Sequence, residues 1–571
     1  MTENIKQTYP SQDIIGFVVG GGLKENLHVR LTVATQQVQE GSFLVAEYGG
    51  WQFYGIVTDM QLGASDMRFA DAPINQRLPQ GLANLLQAQT LYTNIIMLPA
   101  LMLEIGPDPA SQDYQRWLIE KNGNPQLNPQ PIKTIPSHHA IVRLASGGDV
   151  ATIFGKPEEP SNFILGYTRE QNHAVCVNLE KMVQRSAGVF GATGTGKSFL
   201  VRLLLAGLIK HDKASTLVFD MHNEYGFDDI SSDTGLSVPG MRTKFGSKVR
   251  VVGLGAATQI RDHNPDFHVE IAAADIQPED IELLTQELNL RETTPATLEA
   301  LVSSFGRDKW FASFKAMKHD AMKEENGKKV PASDSVAFWA ASNGVNEIAA
   351  KALHSKLQRV FNKPYIQDAP ASSGLQDIID TLKSGRHVIL SFGNFESDLD
   401  YLLISNLITR KLREEWVSAT NNFRSGKQTE PRQLVVVVEE AHKILNREMA
   451  SQTSFSTIAR EMRKYYLTLL IVDQRPSQIF DEVMSQLGTR ISGWLGDEDD
   501  IHAVLSGLAG RDALRGMLAR LQPKEEVLML GWGVPMPILL RSRRYDEQFW
   551  HDILKKKGAQ SPEEIAKELG Y

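Results

Sequence analysis

The stretch GVFGATGTGKSFLVRLLLAGLIKH, residues 188–211, joins a short apolar run, a glycine-rich segment and a helical pattern. Residues 191–198 within it match G-x-x-x-x-G-K-[ST]. After the match, apolar residues recur at helical spacing, among them Phe199, Leu203 and Leu208. The stretch therefore predicts a buried strand, a phosphate-binding loop and a helix, in that order.

The glycine-rich segment predicts how a nucleoside triphosphate is held. Glycines let successive backbone N–H groups turn inward around a β-phosphate, and the N-terminus of the following helix adds its positive end. Lys197 can reach the β- and γ-phosphates, and the Ser198 hydroxyl can ligate Mg²⁺. The alternative is a glycine-rich turn that matches by chance, but the flanking strand and helix favour a site for ATP and Mg²⁺. The candidate binding residues are Gly191, Ala192, Thr193, Gly194, Thr195, Gly196, Lys197, Ser198 and Phe199.

Length and composition limit the class of protein. A chain of 571 residues predicts two to four domains. A formal net charge of −8 argues against a protein that coats nucleic acid with its whole surface, but it allows a basic channel. The single cysteine, Cys176, excludes an intramolecular disulfide and fits a reducing cytoplasm. The longest apolar run, residues 94–105, is too short to span a bilayer, so we expect a soluble cytoplasmic protein without a membrane partner.

Two sequence patterns divide the chain. Over residues 1–165, short β-rich runs alternate with glycines, with a helical patch at residues 81–89, which predicts a small N-terminal β-barrel. Over residues 166–540, continuous apolar runs alternate with helices, a pattern typical of a largely parallel sheet. Amphipathic helices at about residues 278–364 predict a helical insertion, in which residues 318–335 are polar and are expected to form a mobile loop.

The segment LVVVVEEAHKIL, residues 434–445, is an apolar strand that ends in two carboxylates. An ATPase needs one acidic group to hold Mg²⁺ and another to orient or deprotonate the attacking water. Glu439 is the candidate for the metal and Glu440 the candidate for hydrolysis; the alternative is an exposed pair at a strand end. His442 has no metal-ligand partner at useful sequence spacing, so it either couples the site to neighbouring groups or packs.

Two further strands also end in polar residues. In LLIVDQRPSQI, residues 469–479, Gln474 could hydrogen-bond the γ-phosphate or the attacking water and so report loss of the phosphate. The alternative is an ordinary polar strand terminus. The stretch VFDMHNEYG, residues 218–226, is another strand that ends in polar side chains, namely those of Asp220, His222 and Glu224.

These elements, in this order, resemble the HerA branch of the HerA–FtsK superfamily of hexameric DNA-translocating ATPases, in its bacterial type. The matching pieces are GATGTGKS, FDMHNEYG, VVVVEEAHKIL and EMRKYYLTLLIVDQRPSQIFDEVMSQLGTRI. The resemblance covers nearly the whole chain and implies an α/β fold with a RecA-like P-loop ATPase core, an N-terminal small β-barrel and a helical insertion. Two residues depart from the family pattern: Asn223 stands at a usual glycine and Asp473 at a usual small hydroxyl residue.

The family pattern implies a homohexamer with ATP sites between subunits. A neighbouring subunit then supplies an arginine finger to the γ-phosphate. Arg463 matches the family's position for this role, and Arg185, just before the strand that leads into the loop, is a second candidate. For either arginine, a solvated surface role is the alternative. The pattern also implies that a C-terminal extension, residues 541–571, packs on a neighbouring subunit.

The resemblance implies a helicase-type ATPase that translocates on double-stranded DNA with a separate nuclease or NAD-consuming effector, which docks on the barrel. DNA-end processing and anti-phage defence are both open. The alternative is a scaffold ring that uses ATP to assemble an effector without moving along DNA. A small-molecule kinase is disfavoured, because it leaves the barrel and the paired carboxylates without a role. Residues 241–250 and 447–460 could contact DNA, and neither pattern decides between them.

Overall fold

The computed structural model describes most of the chain, namely residues 14–65, 91–107, 110–121, 128–231, 235–256, 258–325, 328–370, 374–450, 453–508 and 510–555. The helical patch predicted at residues 81–89 lies outside these ranges. Two compact units are present. The first unit consists of Met1–Met182, Phe190–Lys197 and Gly488–Phe549. The second unit consists of Val183–Val189, Ser198–Leu487 and Trp550–Tyr571.

Seven strands near the N-terminus belong to one sheet. They are β1 (Ile14–Gly22), β2 (Asn26–Leu31), β3 (Phe43–Tyr48), β4 (Trp51–Ala64), β5 (Leu91–Glu104), β6 (Gln130–Pro131) and β7 (Ile141–Leu144). Six of them follow the order β2-β1-β7-β3-β4-β5, and pairing of β2 with β5 closes the barrel. The seventh strand, β6, adds to β5 outside the closed ring. The predicted small β-barrel is therefore confirmed.

The barrel closes over an apolar interior because alternate residues of each strand point inward. Leu27, Val29, Leu44 and Ala46 are fully buried in this core. Gly16 is required where β1 meets β2, since a Cβ there would lie 2.1 Å from the backbone oxygen of Arg30. Short antiparallel strands with inward apolar residues thus explain the glycine-punctuated pattern of the sequence.

The remaining strands are divided between the two units. They are β8 (Asn162–Tyr167), β9 (Ala174–Asn178), β10 (Ala187–Phe190), β11 (Ser215–Asp220), β12 (Asp229–Ile230), β13 (Ser237–Val238), β14 (Val249–Leu254), β15 (Phe267–Val269), β16 (Ile271–Ala272), β17 (Met322–Glu325), β18 (Lys328–Pro331), β19 (Ile366–Gln367), β20 (His387–Ser391), β21 (Leu434–Glu439), β22 (Leu467–Asp473), β23 (Thr489–Ser492), β24 (Glu526–Gly531) and β25 (Ile538–Ser542). In the first unit, five of them pair in the order β23-β24-β25-β8-β9 and are antiparallel.

The helices of the described residues are, in chain order, α1 (Gln112–Glu120), α2 (Gly147–Phe154), α3 (Leu179–Val183), α4 (Lys197–His211), α5 (Met241–Phe245), α6 (Pro278–Glu282), α7 (Thr294–Phe305), α8 (Trp310–Ala316), α9 (Val336–Ser342), α10 (Glu347–Phe361), α11 (Gly374–Lys383), α12 (Asp398–Arg424), α13 (His442–Leu445), α14 (Ser454–Glu461), α15 (Asp481–Gln486), α16 (Glu498–Leu505), α17 (Arg511–Ala519) and α18 (Glu547–Leu554). Within the described part of the chain, no helix is long and apolar enough to cross a membrane.

The second unit contains a parallel sheet in the order β15-β14-β20-β11-β21-β22-β10. Pairing is parallel from β15 through to β22. Every residue of β11, β20, β21 and β22 is buried, as expected for strands covered on both faces. This sheet explains the continuous apolar runs of the sequence and confirms the α/β class with a P-loop ATPase core.

The predicted helical insertion contains helices α6 to α10, with aromatic side chains at its centre. Trp310, Phe311 and Phe361 pack edge to face, with ring centroids 5.1–5.4 Å apart. The mobile loop predicted at residues 318–335 is wrong in part, because β17 and β18 form an antiparallel hairpin there. Asn326 and Gly327, between the two strands in the sequence, are a hairpin signal that the polar composition obscured. The predicted domain limits, including a C-terminal extension at residues 541–571, stay predictions.

Candidate functional site

The loop between β10 and α4 depends on backbone conformations that glycine adopts most readily. Gly194 and Gly196 have φ angles of +77° and +91°, in the region that disfavours other residues. At Gly191 a Cβ would lie 2.6 Å from the Thr195 Oγ1. The three glycines of the predicted phosphate-binding motif are therefore needed to form the loop itself.

Hydrogen bonds within the first unit hold this loop in place. The Thr195 hydroxyl donates to the Ala192 carbonyl at 2.7 Å, and the Ala192 N–H donates to the carbonyl of Trp494 at 2.9 Å. The Lys197 ammonium donates to the carbonyls of Gly191, at 2.7 Å, and Ala192, at 3.0 Å. Lys197 thus lies against the loop as the first residue of α4, whose N-terminal N–H groups can receive an anion.

Four neighbouring strands of the second unit end in polar residues that lie in one row. In the parallel register, Asp220 is opposite Ser391. Phe219, which precedes Asp220, is opposite Val438, which precedes Glu439. Glu439 is in turn opposite Val472, the residue before Asp473. Because the pairing continues without a register shift, the ends of β20, β11, β21 and β22 present their side chains at one edge of the sheet.

Glu439 is buried, and its two carboxylate oxygens have different surroundings. One carboxylate oxygen accepts a hydrogen bond from the Tyr225 hydroxyl, and the Glu439 carbonyl accepts one from the Tyr401 hydroxyl at 2.8 Å. Its other oxygen, Oε2, is buried and has no hydrogen-bond partner among the described residues. Burial, followed by the charge of Asp220, raises the pKa of Glu439 to about 8. A buried carboxylate oxygen without a donor suits a cation, so this residue fits the predicted Mg²⁺ role.

The turn after β11 explains one departure from the family pattern. Asp220 accepts hydrogen bonds from the N–H groups of Glu224, at 2.8 Å, and Tyr225, at 3.0 Å. Inside this turn Asn223 has a φ angle of +57°, in the left-handed region that asparagine enters more easily than most residues. Its side-chain oxygen also accepts a hydrogen bond from the Ser391 hydroxyl. Asn223 can therefore replace glycine here without loss of the turn.

Glu440 and Gln474, predicted separately from two strand ends, are in contact. The Gln474 side-chain amide donates to Glu440 Oε2 at 3.2 Å. Glu440 has a φ angle of +46°, which for a residue that is neither glycine nor asparagine costs about 1–3 kcal/mol. Such strain is retained only where surrounding contacts hold it.

His442 and Asp473 complete this cluster, and the sequence did not identify Asp473 as a site residue. The Asp473 carboxylate accepts the His442 backbone N–H at 2.6 Å and lies 3.0 Å from the ring Nδ1. This hydrogen bond raises the pKa of His442. Ligand atoms of Glu440, His442 and Asp473 all lie within 4.8 Å of one another, although no such partners for His442 were expected. Hydrogen bonds account for the cluster, and of the two roles considered for His442, contact with the site's groups is the one observed.

The arginine candidates lie apart from these carboxylates. Arg463 is exposed in a 3-10 turn, Met462–Tyr465, that precedes β22, whereas Gln474 follows β22 at its other end. The seven residues of β22 separate the two positions by about 20 Å. Arg185 is partly buried and precedes β10 by two residues. In its own subunit, Arg463 therefore lies at the opposite edge of the sheet from Glu440.

Comparisons with known proteins agree on one family. Residues 163–412 match the family model for the central domain of helicase HerA. The DNA double-strand break repair helicase HerA of Sulfolobus acidocaldarius is 23% identical over 540 residues, which are 93% of each chain. Its counterpart in Sulfurisphaera tokodaii is 24% identical over 544 residues, again 93% of each chain. Both organisms are archaea, so the bacterial type stays a prediction.

Solved structures with a similar course of the chain include two proteins of bacterial origin. The bacterial conjugative coupling protein TrwBdeltaN70 has a TM-score of 0.44 and 11% identity, and the match covers 70% of this chain and 92% of that one. VirB4 of Thermoanaerobacter pseudethanolicus has a TM-score of 0.41 and 13% identity, with 69% and 99% covered. The family match, the near full-length relatives and the glycine-built loop lead to one conclusion: the chain is a P-loop ATPase similar to the HerA family over nearly its whole length.

Proposed function

We propose that this protein is an ATP-driven motor that moves along double-stranded DNA as a ring of six copies and works with a separate nuclease or effector protein. The observation that carries the proposal is the contact between Glu440 and Gln474, with Arg463 at the far end of β22. Each subunit thus has the residues to bind and attack a triphosphate, and it offers an arginine on the opposite edge of its sheet. This arrangement suits a ring in which neighbours complete each other's sites.

Within one subunit, five residues have distinct roles in the proposed reaction. Lys197 binds the β- and γ-phosphates, and Ser198 and Glu439 hold the cation, for which the unpartnered Glu439 Oε2 provides a ligand. Mg²⁺, when bound, offsets the negative charge of the phosphates. Glu440 orients the attacking water and accepts its proton, while the Gln474 amide fixes one Glu440 oxygen at 3.2 Å. Gln474 can also exchange this contact for the γ-phosphate and so report its presence.

The position of Arg463 supports action on a neighbouring subunit. Its side chain is exposed and about 20 Å from the Glu440 edge of its own sheet. A guanidinium that stabilises the charge developing on the γ-phosphate must approach that phosphate directly. We therefore infer that Arg463 reaches the triphosphate bound by the adjacent copy, with Arg185 as a second cation for the same site.

Movement along double-stranded DNA is proposed from the archaeal relatives, which are named as DNA double-strand break repair helicases. Of the two stretches considered for DNA contact, residues 241–250 have two of their cations engaged: Arg242 and Arg250 both pair with Asp266, at 2.9 and 3.0 Å. Both arginines of residues 447–460 are paired as well, Arg447 with Asp481 at 3.9 Å and Arg460 with Glu482 at 3.1 Å, so ion pairing does not decide between the two stretches.

The barrel is the proposed docking surface for the partner. Its neighbouring strands β3 and β7 expose two large apolar side chains, Tyr48 at 52% and Ile141 at 48%. Exposed apolar groups on adjacent strands are common at protein–protein contacts. The nuclease and the NAD-consuming effector are the partners that the family resemblance implies, in DNA-end processing or in defence, and the expected location is the cytoplasm.

Two variants separate nucleotide binding from hydrolysis. Lys197→Ala should weaken ATP binding and abolish turnover, because it removes charge from the β- and γ-phosphates. Glu440→Gln should bind ATP normally and stop turnover, because it removes the group that accepts the proton. Titration with a fluorescent ATP analogue measures binding, and phosphate release measures turnover. Lys210→Ala and Glu415→Gln are the controls, because they make the same substitutions at a lysine and a glutamate outside the proposed site. Normal hydrolysis by Glu440→Gln would show that the two carboxylates are wrongly assigned.

Arg463→Ala tests whether sites are shared between subunits. Turnover should fall by about a thousandfold or more while ATP binding persists, the usual scale for loss of an arginine finger. Rings mixed from Arg463→Ala and Lys197→Ala subunits should regain hydrolysis, because some interfaces then combine an intact loop with an intact arginine. Arg307→Ala, which removes an exposed arginine of the helical insertion that pairs with Glu279, is the control and should keep normal turnover.

Recovery in the mixed rings depends on assembly, so the size of each variant is measured by light scattering. An Arg463→Ala variant of normal size and normal turnover would mean that Arg463 is a surface residue. An inactive variant of normal size that gains nothing on mixing would mean that Arg463 acts within its own subunit.

Double-stranded DNA should raise the rate of ATP hydrolysis by the wild-type ring several-fold, because a motor couples turnover to its track. The stimulation should weaken as salt increases, since phosphate contacts release counterions. Phosphate release with and without linear duplex, at several salt concentrations, measures this. An unchanged rate would contradict the motor and favour a scaffold ring that uses ATP to assemble its effector.

A further inference from the structure

We propose that Asp473 is a positioning residue: its carboxylate ties the loop that carries Glu440 to the loop that carries Gln474. The inference rests on the proposed function, because Glu440 and Gln474 matter only in a site that hydrolyses a triphosphate. Asp473 would touch neither the nucleotide nor the attacking water. It would act by holding the backbone of both loops in one arrangement.

The contacts of Asp473 connect the two loops through their main chains. One oxygen, Oδ2, accepts the backbone N–H of His442 at 2.6 Å, on the loop after β21. The other oxygen, Oδ1, accepts the backbone N–H of Arg475 at 2.7 Å, on the loop after β22. The Asp473 side chain has 0% exposure, so water does not compete for these two bonds. A single buried carboxylate therefore sets the spacing between the loops.

Glu440 needs such an anchor because its backbone is strained. Its φ angle is +46°, and the residue two positions later, His442, is the one whose N–H is held by Asp473. Local strain persists where neighbouring contacts determine the conformation. Without the Asp473 bond, the Glu440 backbone can relax toward an extended or helical conformation, and its carboxylate then leaves the Gln474 amide.

His442 adds a second connection between Asp473 and Glu440. Its ring Nδ1 lies 3.0 Å from Asp473 Oδ2 and 3.6 Å from Glu440 Oε2, so the ring stands between two carboxylates. The hydrogen bond between this ring and the Asp473 carboxylate raises the pKa of His442. When protonated, the ring would reduce the repulsion between the two negative groups.

This arrangement gives Gln474 and Glu440 a common support. Gln474 lies between Asp473 and Arg475 in the chain, so both of its neighbours take part in the Asp473 hydrogen bonds. A shift of the Gln474 loop on contact with a phosphate would therefore move the Glu440 loop as well. The family resemblance predicts a small hydroxyl residue at this position, and such a side chain is too short to reproduce both carboxylate contacts at once.

The experiment compares Asp473→Ala, Asp473→Asn and a matched control in the full-length protein. Asp149→Asn is the control, because Asp149 is also buried and accepts a backbone N–H, that of Ser146 at 2.7 Å, but lies on α2 and pairs with Arg143 of β7. Steady-state phosphate release gives kcat and KM, a fluorescent ATP analogue gives the dissociation constant, and hydrogen exchange gives the protection of the His442 and Arg475 amides.

Asp473→Ala should lower kcat by about 10- to 100-fold, the scale for misplacement of a catalytic group by roughly 1 Å, with unchanged ATP affinity. Both amides should exchange faster together. Asp473→Asn keeps one acceptor oxygen, so its kcat should fall less. Asp149→Asn should keep the wild-type kcat and the protection of both amides.

Three results would overturn the proposal: a wild-type kcat for Asp473→Ala, faster exchange at only one of the two amides, or an equal loss of kcat in Asp149→Asn. Hydrogen exchange needs no turnover. A wild-type protein that failed to hydrolyse ATP would therefore count against the proposed function, while the exchange of the two amides would still decide whether Asp473 joins the loops.

Discussion

The parallel pairing of β11, β21 and β22 without a register shift is the constraint on which the site depends. It brings Asp220, Glu439 and Asp473 to the ends of adjacent strands, where each carboxylate is at most 8% exposed. Burial raises the pKa of Asp220 to about 6 and that of Glu439 to about 8, because negative charge is disfavoured away from water. Backbone N–H groups satisfy Asp220 and Asp473, whereas Glu439 keeps one oxygen without a donor among the described residues. A bound cation would relieve this crowding of charge.

The direction of β21 and β22 determines which candidate side chains lie together within one subunit. Polar residues that follow β21 and β22 meet at one edge of the sheet, and residues that precede these strands lie at the other edge. Arg463 belongs to the second group, as it precedes β22. A parallel sheet therefore gives each copy an acidic edge and, about 20 Å away, an exposed arginine. In the proposed ring, this arginine would act on the site of a neighbouring copy.

Local patterns in the sequence were sufficient to predict the helices and strands, but not the contacts between them. The glycines, Lys197 and Ser198 could be predicted because the motif is continuous, and the barrel and the parallel strands followed from the spacing of apolar residues. The hydrogen bond between Tyr225 and Glu439 joins residues 214 positions apart, so it depends on strand order, which the sequence alone does not give. In the sequence, Asp473 stands out only as a departure from the family pattern, because its two backbone contacts exist only once β21 and β22 are paired.

The most direct measurement of the central claim is the structure of the wild-type ring with Mg²⁺ and a non-hydrolysable ATP analogue, determined by electron cryomicroscopy. We predict that the analogue lies on the loop of residues 191–198, with Glu439 and Glu440 of the same subunit beside it. We also predict that the Arg463 guanidinium of the adjacent subunit is within hydrogen-bonding distance of the γ-phosphate. An Arg463 that remained in solvent at every occupied site, or that reached the nucleotide of its own subunit, would show that neighbouring subunits do not share the site.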